Sequence, residues 1–251
     1  MTSSPGNTQP LRIAMWSGPR NMSTTMMRSF GARKGTVCVD EPFYAAYLAA
    51  TGLTHPMTDE IFAAQSRNPA EVAADMAACP DPDAAIFYQK HMTHHMLPDT
   101  PRGWMAACEN VFLIRHPARV IASYARKMPE VSLTAIGFPQ QASLFDHART
   151  LQGRPPIVVD SDAILRDPGG LLRALCAALD LPWQNAMLSW PAGPRPEDGA
   201  WAPHWYDAVW RSTGFGPAPG ALPSVDAAWQ DIYADALTIY EELAAHQLRA
   251  A

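Results

Sequence analysis

Only four cysteines occur among the 251 residues, Cys38, Cys79, Cys108 and Cys176, and no two form a C-x-x-C pair. That scatter argues against a zinc site and against a disulfide framework, and free thiols in a reducing compartment are expected. Charged residues make up 17% of the chain, against roughly a quarter in an ordinary globular protein. The formal net charge of −5 gives no support for a nucleic-acid partner, which needs a basic face. No apolar run approaches the roughly 18 residues of a membrane span. The first ten residues are polar, with neither a basic start nor an apolar core, so no signal peptide is expected. A cytoplasmic protein without a membrane partner is the expectation.

What is abundant is apolar residues, 48% of the chain, and proline, 24 residues. The first is enough for a sizeable core, and the length suits one domain or at most two. Residues 1–10 read as a disordered tail and 11–251 as a single domain. The prolines fall in loops and at helix starts, and Pro191 to Pro223 is a Pro-, Gly- and Trp-rich excursion, long enough to suggest a functional loop.

Short apolar strands are expected at 12–17, 36–40, 85–90, 111–115 and 156–159. Helices are expected between them at 23–33, 43–50, 69–78, 117–127 and 169–179, with a long one at 227–248. Alternation of this kind predicts an α/β fold, a parallel sheet flanked by helices, and open parallel sheets bind ligands at the carboxyl ends of their strands. Polar groups do collect after the strands: Ser17 to Thr25, Asp40-Glu41, Lys90-His91, Arg115-His116 and Asp160 to Asp162.

Two of these clusters carry most of the chemistry. After the first strand comes Gly18-Pro19-Arg20-Asn21-Met22-Ser23-Thr24-Thr25, the strand, tight loop and helix start of an anion cradle. The lysine of the nucleoside-triphosphate version, G-x-x-x-x-G-K-S/T, is absent. Arg20 stands inside the loop with a fork suited to phosphate oxygens. Ser23, Thr24 and Thr25 add hydroxyls and N–H groups, although such residues also simply cap helices. The second cluster is Arg115-His116-Pro117 to Ser123: an arginine at a strand end and a serine about two turns into the next helix. Such a pair can pinch a second phosphate.

Together the two segments resemble the sulfotransferase family that uses 3′-phosphoadenosine 5′-phosphosulfate (PAPS) and releases 3′-phosphoadenosine 5′-phosphate (PAP). The likeness runs through Glu41-Pro42-Phe43, Val158-Val159-Asp160 and Leu181-Pro182-Trp183, covering most of residues 12–190. The resemblance implies a P-loop nucleoside-triphosphate-hydrolase-like three-layer sandwich. It assigns Arg20, Asn21, Ser23 and Thr24 to the 5′-phosphosulfate, and Arg115 and Ser123 to the 3′-phosphate. Met22 replaces the family's loop glycine, so the backbone there is expected to avoid glycine-only angles. The family's third donor loop, glycine-rich and basic, has its best candidates in Arg195, Gly199 and Trp201, with Trp201 able to stack on adenine.

In-line transfer needs charge neutralised on the leaving phosphate and a base for the acceptor. Glu41 is the first candidate base, as in bacterial members that share this Glu-Pro-Phe arrangement, though a carboxylate at a helix start is common. His91 is the second, although Lys90-His91 is one residue shorter than the family's Lys-x-His. In a continuing strand the two side chains point to opposite faces, leaving Lys90 for the sulfuryl group and His94 or His95 for the acceptor. A metal site at these histidines is not expected without a carboxylate or cysteine at fixed spacing. Trp190, Trp201, Trp205 and Trp210, with His204 and Tyr206, form either a lid and acceptor wall or, for the tryptophans, core packing. The expected partner is a small-molecule acceptor with a hydroxyl or amine, with a homo-oligomer left open. The competing readings are a small-molecule P-loop kinase and a non-catalytic nucleotide-binding relative.

Overall fold

A computed structural model describes residues 9–128 and 130–250; positions 1–8 of the expected tail lie outside the described residues. In chain order the elements begin β1 (Leu11–Ser17), α1 (Ser23–Gly31), β2 (Thr36–Asp40), α2 (Tyr44–Thr51), α3 (Thr58–Ala64), α4 (Pro69–Ala77) and β3 (Ile86–Met92). There follow β4 (Glu109–Ile114), α5 (Pro117–Tyr124), α6 (Phe138–Gln152), β5 (Ile157–Asp160), α7 (Ser161–Arg166) and α8 (Pro168–Ala178). Two short helices, α9 (Ala202–Trp205) and α10 (Asp207–Trp210), and the long α11 (Gln230–Ala244) complete the chain. The five strands form one sheet in the order β2-β3-β1-β4-β5, with every neighbouring pair parallel.

Both faces of this sheet are covered, which is why its strands read as continuous apolar runs. Alternate residues go to opposite cores. Ala14, Trp16, Phe87, Phe112 and Val158 pack on one side with residues of α4, α6 and α11. Ile13, Met15, Ile86, Tyr88, Val111, Leu113 and Val159 pack on the other with α1, α7 and α8. A third cluster joins α2 and α3 to Trp201, Ala202 and Tyr206 of the Trp-rich segment.

Three differences from the sequence reading have physical reasons. Strand β3 runs on to Met92, placing Lys90 and His91 inside it. Helix α6 was not expected. Its core face Phe138, Leu144, Phe145 and Ala148 has a helical period, but Gln141 occupies an apolar slot and Pro139 sits in the first turn. Gln141 belongs there because its Nε2 donates to Leu113 O at 2.9 Å. The excursion from Pro191 is not wholly irregular: it contains α9 and α10, and Arg28 of α1 pins it by a 2.7 Å ion pair to Asp198. Asp198 Oδ2 also accepts from Arg195 N and Trp210 Nε1.

Candidate active site

A cavity of about 330 Å³ opens at the carboxyl ends of β1, β3 and β4. Its floor is the loop between β1 and α1. Gly18 is required there, since a Cβ would lie 2.6 Å from Ile136 O. Arg20 and Met22 both adopt left-handed backbone, with φ of 64° and 67°. For Met22 this corrects the expectation that its backbone would avoid the glycine-favoured region. Each such residue costs roughly 1–2 kcal/mol, a strain that persists only where the surroundings over-determine it. Here Asn21 Nδ2 donates to Leu113 O at 3.2 Å, and Ser161 Oγ lies 2.9 Å from Asn21 O and 2.8 Å from Ile114 O. Asn21 therefore ties the loop to β4; its amide donor is turned to the sheet rather than to the cavity.

The twist at Met22 starts α1 with its first-turn N–H groups facing the cavity at Ser23, Thr24 and Thr25. Those groups have no intrahelical partners. Met22 offers no side-chain cap, and the first turn contains no acid. The positive end of the helix is thus left uncompensated.

Two arginines add to it. Arg20 Nε donates to Ser123 Oγ at 3.0 Å, and Arg115 Nη1 donates to Arg20 O at 2.6 Å. The segments that sequence reading assigned to separate phosphates are thus in direct contact, and Arg20 points toward Ser123 rather than along the loop alone. Arg28, Lys90 and Arg119 each have a carboxylate partner, whereas among the described residues Arg20 and Arg115 have none. Burial, helped by the nearby Arg126, presses the Arg20 guanidinium below its ordinary pKa. At Arg115 burial also leads, assisted by Arg119 and Arg20 and opposed by Asp162 and Asp160. A bound anion would relieve both.

The other end of the cavity is built on a buried carboxylate pair. Asp40 and Lys90 are directly opposite on neighbouring strands. Lys90 Nζ contacts Asp40 Oδ1 at 2.7 Å, Glu41 Oε1 at 2.5 Å and Tyr206 Oη at 2.7 Å, which uses all three of its protons. Tyr206 in turn donates to Asp40 Oδ2 at 2.6 Å and accepts from Trp201 Nε1 at 3.2 Å. Burial lowers the ammonium's proton affinity, but Asp40, Glu41 and Tyr206 outweigh it and hold Lys90 well above its ordinary pKa. One cation is shared by two carboxylates, so the group carries one net negative charge. Burial, reinforced by Asp40 and opposed by Lys90, raises the pKa of Glu41 above the usual carboxylate range. Glu41 lies just past β2 with φ of 41°, its side chain 12% exposed to the cavity.

Of the other expected site residues, His91 is corrected. Odd positions of β3 face the core away from Lys90, and His91 is stacked on Trp16 with centroids 4.5 Å apart, its Nε2 3.1 Å from Gln89 Oε1. It does not line the cavity. Burial pushes its pKa to about 3. The folded state therefore refuses a proton that the unfolded chain takes up near pH 6.5. Stability is full above pH 6.5 and falls as the pH drops from 6.5 toward 3, by up to about 1.4 kcal/mol per unit. Urea melts at pH 7.5 and 5.5 are expected to show a shallower loss for His91→Gln than for the parent; an identical slope would refute this.

Arg195 lies outside the cavity, its backbone N held by Asp198 and its guanidinium near Pro191 O. Trp201 lines the cavity, but at the Glu41 end. It is only 1% exposed and meets Tyr44 edge-on at 5.1 Å, so no ring face is free for adenine. His94 and His95 do reach the cavity, and burial holds His94 neutral with a pKa of about 3. Sequence reasoning named Tyr206 in the candidate wall, and it lines the cavity, but it missed Tyr44 and His55. Only the aromatic density around Trp201 pointed to that wall.

Comparison with known proteins follows this geometry. A family model described as a sulfotransferase domain matches residues 11–247. Two Arabidopsis thaliana proteins named branched-chain-amino-acid aminotransferase-like proteins 1 and 2 are 36% and 35% identical over 238 and 234 residues. These alignments cover 95% and 93% of this chain but only 42% and 41% of the relatives, so the chain spans about two-fifths of their length. Among solved structures, a sulfotransferase domain of a Synechococcus PCC 7002 olefin synthase aligns with a TM-score of 0.53 at 18% identity, covering 97% of this chain and 98% of its own. A sulfotransferase from Alicyclobacillus acidocaldarius aligns with a TM-score of 0.56 at 11% identity, covering 96% and 98%. These two likenesses show the shared fold.

Proposed function

The chain belongs to the sulfotransferase family, and from that premise we propose that it moves a sulfuryl group from PAPS to a hydroxyl or amine of a small molecule. One observation carries the reading. A single cavity has uncompensated positive charge at one end, from Arg20, Arg115 and the first turn of α1, and a buried carboxylate of raised pKa, Glu41, at the other.

The donor supplies an activated sulfuryl group on a leaving phosphate. The unpaired guanidiniums suit a ligand with two anionic ends. Arg115 and Ser123 would hold its 3′-phosphate, while Arg20 and the N–H groups at Ser23 to Thr25 would stabilise the charge growing on the 5′-phosphate. Glu41 takes the acceptor proton as the new bond to sulfur forms and the sulfur–oxygen bond to the phosphate breaks, releasing PAP. Raised proton affinity improves a carboxylate as a general base near neutral pH. Lys90 keeps Glu41 ionised and in place, and Tyr206 and Asp40 keep Lys90 there.

Calorimetric titration with PAP tests the donor. Binding is expected without Mg²⁺, and Arg115→Ala should weaken it by roughly 10- to 100-fold, the worth of a charge-assisted hydrogen bond. No binding at millimolar PAP, or Mg²⁺-dependent ATP binding tighter than PAP, would overturn the reading in favour of a kinase.

A further inference from the structure

Glu41 stands on strained backbone. Its φ of 41° lies in the left-handed region, which is unfavourable for a residue with a Cβ. Pro42, which follows it, presses it toward extended angles as well. Such strain persists only where the surroundings over-determine it. The main chain supplies part of the hold: Glu41 N donates to Lys90 O at 2.9 Å, and Glu41 O accepts from Tyr44 N at 3.1 Å.

The rest comes from Gln65, which closes the C-terminus of α3, 24 residues from Glu41. Its Nε2 donates to Glu41 O at 3.1 Å and lies 3.5 Å from Asp40 O, while its Oε1 accepts from Ala45 N at 3.1 Å. Among the described residues no other side chain bonds to the backbone of residues 40–45. Helix α2 has no side-chain cap of its own and no acid in its first turn. Ala45 is fully buried, so without Gln65 its N–H would be left without a partner. A primary amide suits the place because one planar head both donates and accepts. A carboxylate would offer Glu41 O no donor, and an apolar side chain would offer neither partner. Gln65 does not line the cavity, so it acts on the site only through the turn it holds.

Resting on Glu41 as the base of the sulfotransfer reading above, we propose that Gln65 is a positioning residue for the reaction: its amide clamps the turn between β2 and α2 and so aims the Glu41 carboxylate at Lys90 and the cavity. A general base works only within hydrogen-bond reach of the proton it takes, and a misplacement of about 1 Å can cost about 10²-fold in rate. Releasing the clamp lets the φ of Glu41 relax to negative values. That turns the Cα–Cβ bond and draws the carboxylate off Lys90 Nζ, which it now meets at 2.5 Å. The ionisable groups around Glu41 are Asp40 on β2, Lys90 on β3, Tyr44 on α2 and Tyr206 between α9 and α10. Of these Lys90 lowers the proton affinity of Glu41. A carboxylate drawn away from it binds its proton more tightly, so the ionised base is lost at a higher pH as the pH falls.

The experiment compares the full-length parent with Gln65→Met, Glu41→Gln and the double variant. PAPS turnover is followed with 4-ethylphenol, 2-phenylethanol and tyramine as acceptors, and urea melts give the folded fraction. Gln65→Met is expected to lower kcat by about 10- to 100-fold, with KM and PAP affinity within about twofold, and to move the acid limb of kcat to higher pH. In the Glu41→Gln background the same substitution should have no further effect on kcat, because residues that act through one group are not additive. Gln65→Glu keeps an acceptor for Ala45 N, and so the start of α2, but offers Glu41 O no donor. It should repeat the loss of kcat, and it carries the test where Gln65→Met does not fold. A role in stability alone would lower the urea midpoint and leave kcat and the acid limb of the folded enzyme at parental values. That result, or a loss that persists undiminished in the Glu41→Gln background, would overturn the inference and leave Glu41 as base. Parental kcat in Glu41→Gln, or no transfer by the parent to any of the three acceptors, would instead remove the reading on which the inference rests.

Discussion

Glu41→Gln is expected to lower kcat by about 10²- to 10⁴-fold, the range for removing a positioned general base, with little change in PAP affinity. The amide keeps the shape of the carboxylate and a hydrogen bond to Lys90 Nζ but cannot take up the acceptor proton. The pH dependence gives a second readout. Burial and Asp40 raise the Glu41 pKa, so the active, ionised form prevails above that raised value and is lost as the pH falls through it. The acid limb of kcat should therefore lie above the ordinary carboxylate range in the parent and vanish from the residual activity of the variant. A variant with parental kcat, or one retaining the same acid limb, would remove Glu41 from the reaction. PAP affinity that collapses along with kcat would assign it to donor binding instead.

Lys90→Met is expected to destabilise the protein by about 3–5 kcal/mol, the cost of leaving buried charge without its partner. The Lys90 side chain is 1% exposed and contacts two carboxylates and a phenol. Without it, Asp40 and Glu41 face each other in a dry site, and at least one must be protonated to fold. The folded state of the variant then binds more protons than the unfolded chain near neutral pH. Its stability deficit should shrink as the pH falls toward ordinary carboxylate values, the reverse of the acid sensitivity traced to His91. Urea unfolding at pH 7.5 and 5.5, read from midpoints at constant slope, measures both effects. Lys90→Met combined with Asp40→Asn should recover part of the loss, because removing both charges leaves a polar site rather than an unpaired ion. A deficit under 1 kcal/mol, or one that grows on acidification, would contradict the buried-network picture.

Much of the sheet was legible because its physics is local. Buried parallel strands are short apolar runs, and β2 was bounded correctly from Thr36 to Asp40 by that criterion. The proline-initiated helices α4, α5 and α8 were legible because proline suits a first turn. Helix α6 was hidden because Gln141 satisfies a carbonyl on β4, a partner 28 residues away that no local pattern encodes. His91 stayed a candidate because the strand was expected to end at Lys90; parity already placed it opposite Lys90 in a strand that continues. Once β3 extends past Lys90, period two alone sends His91 to the Trp16 side.

The amino-acid sequence by itself determined the alternation of strands and helices, the anion-binding loop without its lysine, and the arginine-to-serine segment after β4. Each depends on residue types at close spacing, which backbone geometry turns directly into shape. The tertiary structure alone decided that Arg20 meets Ser123 across 103 residues. It also brought Tyr206 across 116 residues to a lysine already shared by Asp40 and Glu41, and it left the cations of one half of the cavity unpaired. Those facts rest on which side chains are desolvated together. Desolvation is set by the packing of distant segments, so it could be read only after the chain had folded.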